Sequence, residues 1–416
     1  MNRRQFLRGV SAAGAGTISL GPNSWAKALA TDTATTRRLI VVFLRGAVDG
    51  LNLVVPYREA NYYRLRPRIA IAQPGDDDGA IDLDGQFGLH PALTPLLPFW
   101  RQGSLAFVHA AGSPDPTRSH FDGQDNIESG TPGNKATRDG WLNRLEGALP
   151  GDPALRAAPT RAISIGAVVP RVFLGSNRVT TIASGATALR PSVLDRPAVN
   201  EAFASIYHDD VRFGGAFKEF VAARGDVMTA LEDPEMREAN NGAPPSYAFA
   251  GDAVRLATLM RLDPRVQLGF LAVSGWDTHA NQGGAKGQLA NLLTPFAGGM
   301  AALAENLGPV YQDTAIVVIS EFGRTVAQNG NGGTDHGHGN VMWLMGGNVA
   351  GGKVHGEWGG LDDGALHDGR DVPVTTDYRT ILAQVCERHL LLPDTKLSEV
   401  FPAMPEQLAP VRVIKG

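Results

Sequence analysis

A single cysteine, Cys386, occurs in 416 residues. No internal disulfide can staple the fold, and a cysteine-based metal knuckle is excluded. No apolar run after residue 30 is long enough to cross a bilayer, so no integral membrane segment is expected. Positive charge is also scarce: 38 Lys and Arg face 42 Asp and Glu. Arg3, Arg4, Arg8 and Lys27 lie in a leader without acids, leaving 34 bases against 42 acids in the remainder. Such an acidic body gives no electrostatic case for nucleic acid or an anionic membrane surface. A Gly-x-Ser-x-Gly elbow, a Walker loop and a Rossmann fingerprint are all missing. Their absence argues against a simple α/β-hydrolase, nucleotidase or dehydrogenase.

What the chain does have is glycine, 50 residues, and proline, 27, which together predict many loops and tight backbone passages. Residues 1–30 read as an export signal. Arg3-Arg4-Gln5-Phe6-Leu7 precedes a weakly apolar stretch from Gly9 to Leu20 and a small-residue cleavage site, Ala28-Leu29-Ala30. The paired arginines resemble a twin-arginine leader, which predicts export of a folded body by the twin-arginine translocase to the periplasm or beyond. Residues 31–416 then form one domain.

Leu39-Ile40-Val41-Val42-Phe43-Leu44 is uninterrupted apolar sequence bounded by Arg38 and Gly46, which suits a strand buried on both faces. Similar runs recur at Leu105 to Ala110, Ala162 to Ile165, Val266 to Val273, Ala315 to Ser320 and Val341 to Met345. Helical patterns at Ala92 to Trp100, Gly215 to Leu231, Tyr247 to Arg261, Gly287 to Leu307 and Tyr378 to Leu391 lie between or after them. This alternation predicts an α/β fold with a mostly parallel sheet. The breaker-rich loop Glu232 to Ser246 suggests a helical insertion around 191–262.

Four polar clusters follow predicted strands, where ligands bind in open α/β sheets. Asp49, in Arg45-Gly46-Ala47-Val48-Asp49-Gly50, is a metal ligand or a turn former. In Ser113-Pro114-Asp115-Pro116-Thr117-Arg118-Ser119-His120, the hydroxyls suit either a nucleophile or a helix cap. Asp277 and His279 share a face of an extended segment and can chelate one ion. Glu321 and Arg324 end the next strand, and His336 and His338, again two apart, lie in a glycine-rich frame before the one after. Imidazoles with carboxylates suit zinc, and more oxygen ligands suit manganese or calcium.

The leader, the segment Val42 to Asn52, Arg118-Ser119-His120-Phe121-Asp122, Trp276-Asp277-Thr278-His279, Glu321-Phe322-Gly323-Arg324-Thr325 and Asp335-His336-Gly337-His338-Gly339-Asn340 together resemble the domain-of-unknown-function family 1501. That family is similar to the alkaline phosphatase and sulfatase superfamily. The resemblance implies a three-layer α/β/α sandwich and metal-assisted hydrolysis of phosphate or sulfate esters. It implies Asp49, Asp277, His279, Glu321 and His336 or His338 as metal ligands, and a nucleophile among Ser113, Thr117 and Ser119. Arg118 or Arg324 would neutralise an anionic ester or glycan. Phe322 stands where the superfamily has a metal-binding histidine, which leaves a second ion short of a ligand. A catalytically reduced protein that binds a surface glycan or partner protein through a structural metal is the alternative. A metal-free serine esterase using Ser119 and His120 ranks below both, because adjacent side chains diverge.

Overall fold

The protein is described by a computed structural model. It describes residues 36–151, 153–166, 168–185, 248–404 and 411–415, with positions 199, 201, 202 and 205. The leader, the predicted helix Gly215 to Leu231 and the loop Glu232 to Ser246 lie outside the described residues.

The strands in chain order are β1 (Arg38–Arg45), β2 (Val54–Val55), β3 (Ile81–Asp82), β4 (Gly88–Leu89), β5 (Leu105–Gly112), β6 (Ala162–Ile165), β7 (Thr180–Ile182), β8 (Leu268–Ser274), β9 (Thr314–Ser320), β10 (Asn340–Gly346), β11 (Lys353–His355) and β12 (Thr376–Asp377). The main sheet runs β11-β5-β10-β9-β1-β8-β6-β7, with β12 also on β5, while β2, β4 and β3 form a small sheet of their own. Among the described residues of the main sheet β10 alone runs against its neighbours, and the other pairings are parallel.

The apolar run of β1 explains its central position. Ile40, Val42 and Leu44 enter one core cluster, and Leu39, Val41 and Phe43 enter another on the opposite face. Period-two side-chain alternation thus feeds two cores from one strand. The helix Ala248–Leu262 covers the first face through Leu256 and Met260. Beside it packs Gln288–Leu307, whose Leu289, Leu293, Phe296, Met300, Leu303 and Leu307 form a buried stripe at helical spacing. Trp141–Ala148, Tyr378–Gln384 and Asp394–Val400 cover the other face through Leu142, Leu145, Ile381, Leu382 and Leu397. Each such buried side chain contributes about 1.5–3 kcal/mol relative to exposure. The result is a three-layer α/β/α sandwich with a mostly parallel sheet.

Local departures from the sequence reading have local causes. The predicted helix Ala92 to Trp100 is a 3-10 turn, Pro91–Leu96, followed by a short α-helix, Leu97–Arg101, because Pro95 and Pro98 withhold backbone donors. The helix from Tyr378 is α only to Gln384 and π over Val385–His389. Ala248–Leu262, at the end of the helical insertion suggested around 191–262, packs against the sheet, and nearly all of the rest of that stretch lies outside the described residues. Among the described residues no helix is long and apolar enough to cross a membrane.

The directions of the strands decide where chemistry can gather. The carboxyl ends of β1, β5, β8 and β9 lie at one edge, and antiparallel β10 begins there, Asn340 opposite Ala111. All four polar clusters therefore come to the same end of the sheet.

Candidate metal centre

At the end of β8, Gly275 takes φ +104° and Trp276 turns inward. Its indole packs on Phe296 with 5.4 Å between centroids and donates to the Val273 carbonyl at 3.0 Å. Asp277 is left at the outer side, its side chain 44% exposed. The turn after β1 presses against this backbone: a Cβ on Gly46, itself at φ +118°, would lie 2.8 Å from the Asp277 nitrogen. Only glycine tolerates both the dihedral and the approach.

After β5 the chain enters the helix His120–Ser129, with Ser119 as its N-cap. His120, Gly123 and Gln124 share a face directed at Glu321 and Phe322. The ring of Phe322 stacks on His120 at 5.2 Å and tilts against His336 at 5.1 Å. An isolated bridge between Arg324 and His336 brings the loop before β10 onto the end of β9.

Four side chains meet there. Asp277 Oδ1 lies 3.4 Å from His120 Nε2, 3.2 Å from His336 Nε2 and 3.0 Å from His279 Nε2. The Nε2 atoms of His279 and His336 are 3.0 Å apart. His120, Asp277 and His336 each offer a ligand atom within 4.8 Å of the others. The far side of every ring is fixed by an oxygen: His120 Nδ1 by Glu321 Oε1 at 2.9 Å, His336 Nδ1 by the Arg118 carbonyl at 2.7 Å, His279 Nδ1 by Asp335 Oδ1 at 3.2 Å.

These outer oxygens determine the protons. A carboxylate or carbonyl only accepts, so each Nδ1 carries hydrogen and a neutral ring turns its Nε2 lone pair toward Asp277. Three lone pairs and a carboxylate then face one another, an arrangement that requires positive charge between them. Protons on Nε2 or a bound cation supply it. His120 Nε2 is buried and makes no hydrogen bond, as a ligand atom without its ion would be. Outer-shell oxygens on the remote imidazole nitrogens are the usual companions of histidine metal ligands. The residues present therefore fit a divalent ion.

The electrostatics agree. The hydrogen bond from His120 to Glu321 raises the histidine above its ordinary range against the opposing effect of burial. Burial pushes the Glu321 carboxyl up, but hydrogen bonds from His120 and from the Gly46 and Ala47 backbone outweigh it and hold the group low. Burial likewise pushes Asp277 up, and Arg324 reverses the shift, keeping it ionised. His336 is pulled down by burial, partly opposed by the Arg118 carbonyl.

Several residues assigned from sequence take other places. Asp49 is fully buried, and its Oδ2 accepts from Arg66 Nη1 at 2.6 Å and Gln282 Nε2 at 2.6 Å; it lies in an internal network, not among the imidazoles. Glu321 holds His120 instead of offering itself as a ligand, its oxygens taken by Gly46 N–H, His120, Gln124 and the Ser320 hydroxyl. His338 does not join His336 at Asp277: the chain bends at His338, which packs 4.6 Å from His367, and burial lowers its pKa to about 4.

The hydroxyls serve the backbone: Ser119 Oγ accepts from Asp122 N–H, Thr117 Oγ1 from Ser119 N–H and Ser113 Oγ from Asp115 N–H. Arg118 is bound to Asp371 and Asp368. Arg324 is buried and spends its donors on the carbonyls of Ala47, Gly46, Trp276 and Thr334 and on Asp277. Both guanidinia are engaged by the protein's own groups. The residue absent from the sequence assignment of ligands is His120; its signal was a histidine beside Arg118 that capping does not require.

Residues 102–401 match the model of the family described as Protein of unknown function (DUF1501). The chain belongs to that family. The DUF1501 match spans His120, Asp277, His279, Glu321, Arg324 and His336 and begins after Asp49. A search of curated proteins finds no match. Among solved structures the chain is similar to Ps i-CgsB in complex with k-i-k-neocarrahexaose, at 13% identity over 77% of this chain and 68% of that one, with a TM-score of 0.36. Ps i-CgsB in a further structure gives 13% over 88% and 76%, with a TM-score of 0.37. The lipoteichoic acid synthase LtaP from Listeria monocytogenes gives 11% over 87% and 73%, with a TM-score of 0.32.

Proposed function

We propose that this DUF1501 protein is a metal-dependent hydrolase of phosphate or sulfate esters. One ion is held by His120, Asp277 and His336, with His279 as a further ligand. The observation that carries the metal reading is the convergence of imidazole Nε2 atoms on Asp277 while each Nδ1 is fixed by an oxygen. Imidazoles with one carboxylate suit zinc first and manganese next; calcium, which takes oxygen ligands, fits least.

When bound, the ion supplies Lewis-acid polarisation of an ester oxygen and a lowered pKa for an attacking water or hydroxyl. The chain's own contributions are distinct. Glu321, Asp335 and the Arg118 carbonyl set the ring orientations, Phe322 walls the imidazoles on one side, and Arg324 keeps Asp277 ionised. Elemental analysis of protein purified without chelator, followed by assays with p-nitrophenyl phosphate and p-nitrophenyl sulfate, tests the reading. About one ion per chain and chelator-sensitive turnover are expected; a chain that takes up no ion contradicts it.

A second reading, a glycan- or protein-binding protein with a structural metal, is favoured by one observation. The hydroxyls of Ser113, Thr117 and Ser119 cap backbone, and Arg118 and Arg324 bind the protein's own groups. It predicts a bound ion and a raised Tm without turnover of either ester. We propose export as well: the leader read in residues 1–30 supports a place in the periplasm or outside the cell under either reading. Lysine in place of Arg3 and Arg4 should block export, as read by fractionation.

A further inference from the structure

The loops bearing His279 and His336 are joined behind the metal centre by the buried amide of Gln282. Gln282 is fully buried, as are Thr278, Thr334, Asp49 and Arg66. Gln282 Oε1 accepts from the hydroxyl of Thr278 at 2.8 Å and from that of Thr334 at 3.0 Å. Its Nε2 donates to Asp49 Oδ2 at 2.6 Å. The orientation of the amide follows from its partner, since a carboxylate paired with Arg66 can only accept.

Thr278 lies between Asp277 and His279, and Thr334 stands two residues before His336. Thr334 N–H also donates to the Thr278 carbonyl at 3.2 Å, and Gln282 N–H to the Gly332 carbonyl at 2.9 Å. The two loops touch so closely that a Cβ on Gly333 would lie 2.3 Å from the His279 carbonyl carbon. Asp49, in turn, is held by Arg66, which donates to the carbonyls of Val326 and Thr325 beyond β9.

We infer that Gln282, anchored on Asp49, is the positioning residue of the metal centre: by accepting both threonine hydroxyls it sets the spacing of Asp277 and His279 against His336. This inference rests on the metal-centre reading above. It gives Asp49 a part in metal affinity without contact with the ion. Partners bonded directly to metal ligands typically govern about 10–100-fold in affinity, and Gln282 acts one step further out, on the backbone that carries those ligands.

The test is cobalt(II) titration of the metal-free full chain, followed by visible absorption, on wild type, Thr278→Val/Thr334→Val and Thr278→Ser/Thr334→Ser. The valine pair keeps the shape and removes both hydroxyls; it should weaken cobalt binding about 10–100-fold and alter the ligand-field bands. The serine pair restores both donors and should return affinity and spectrum to those of wild type. Should the valine pair fail to fold, Thr334→Val alone carries the same expectation. Valine variants that bind cobalt with wild-type affinity and spectrum overturn the clamp while leaving the metal centre standing. A wild type that binds no cobalt overturns the metal centre itself and the clamp with it.

Discussion

Asp49 and Asp277 follow neighbouring parallel strands at the same edge of the sheet, yet their surroundings differ in kind. Asp49 is sealed inside and meets a guanidinium and an amide, permanent donors that both bind its Oδ2, while its Oδ1 is buried without a hydrogen bond. Asp277 is 44% exposed and meets, besides Arg324, imidazoles whose lone pairs turn toward it. A carboxylate after a β-strand is therefore not a ligand by position alone. Both carboxylates meet a buried guanidinium; what sets Asp277 apart is its exposure and the three imidazole nitrogens around it, which leave a demand for positive charge.

Substitution at each carboxylate's site separates the two roles. Asp277→Ala should lose the ion and any ester turnover by more than about 100-fold with the fold intact, as read by elemental analysis and circular dichroism. Arg66→Met acts on the other side. It leaves the Asp49 charge buried without its cation and should cost about 3–5 kcal/mol in urea unfolding. An equal loss of stability in both variants would erase the distinction.

Histidines remote from the centre sharpen the contrast by titration. His109 and His389 hydrogen-bond the carbonyls of Val54 and Arg38, and burial lowers each to about 4. Their folded pKa lies below the ordinary unfolded value near 6.5, so the unfolded chain binds more protons between those limits. Their contribution is whole above about pH 6.5 and is lost as pH falls toward 4, up to about 3 kcal/mol each. Urea midpoints at a series of pH values should show this fall; stability flat across the window would contradict it. The smallest effect expected is at Glu321. Glu321→Gln keeps the shape but not the charge that orients His120, and should weaken metal binding about 10–100-fold by competition titration.

The strands were legible because burial on both faces writes itself as uninterrupted apolar sequence, as in Leu39 to Leu44. Trp141–Ala148 was not, since its apolar residues make only two turns. Asp277, His279 and His336 were recognisable from spacing after or before a strand. His120 was not assigned as a ligand because Glu321, which turns its ring, lies 201 residues away. Asp49 was misread for a related reason: Arg66 lies 17 residues on and Gln282 233. Nothing next to Asp49 in sequence announces either partner. The same holds for Arg324, whose four carbonyl acceptors come from three separate stretches of backbone.

The most direct test of the account is isothermal titration of zinc into the metal-free chain and into its Asp277→Ala and Asp49→Asn variants, with proton release measured in buffers of different ionisation enthalpy. About one ion per chain is expected in wild type and in Asp49→Asn and none in Asp277→Ala, with proton release on binding. Saturation of Asp277→Ala at the wild-type stoichiometry, or its loss in Asp49→Asn alone, would contradict the assignment of the two carboxylates.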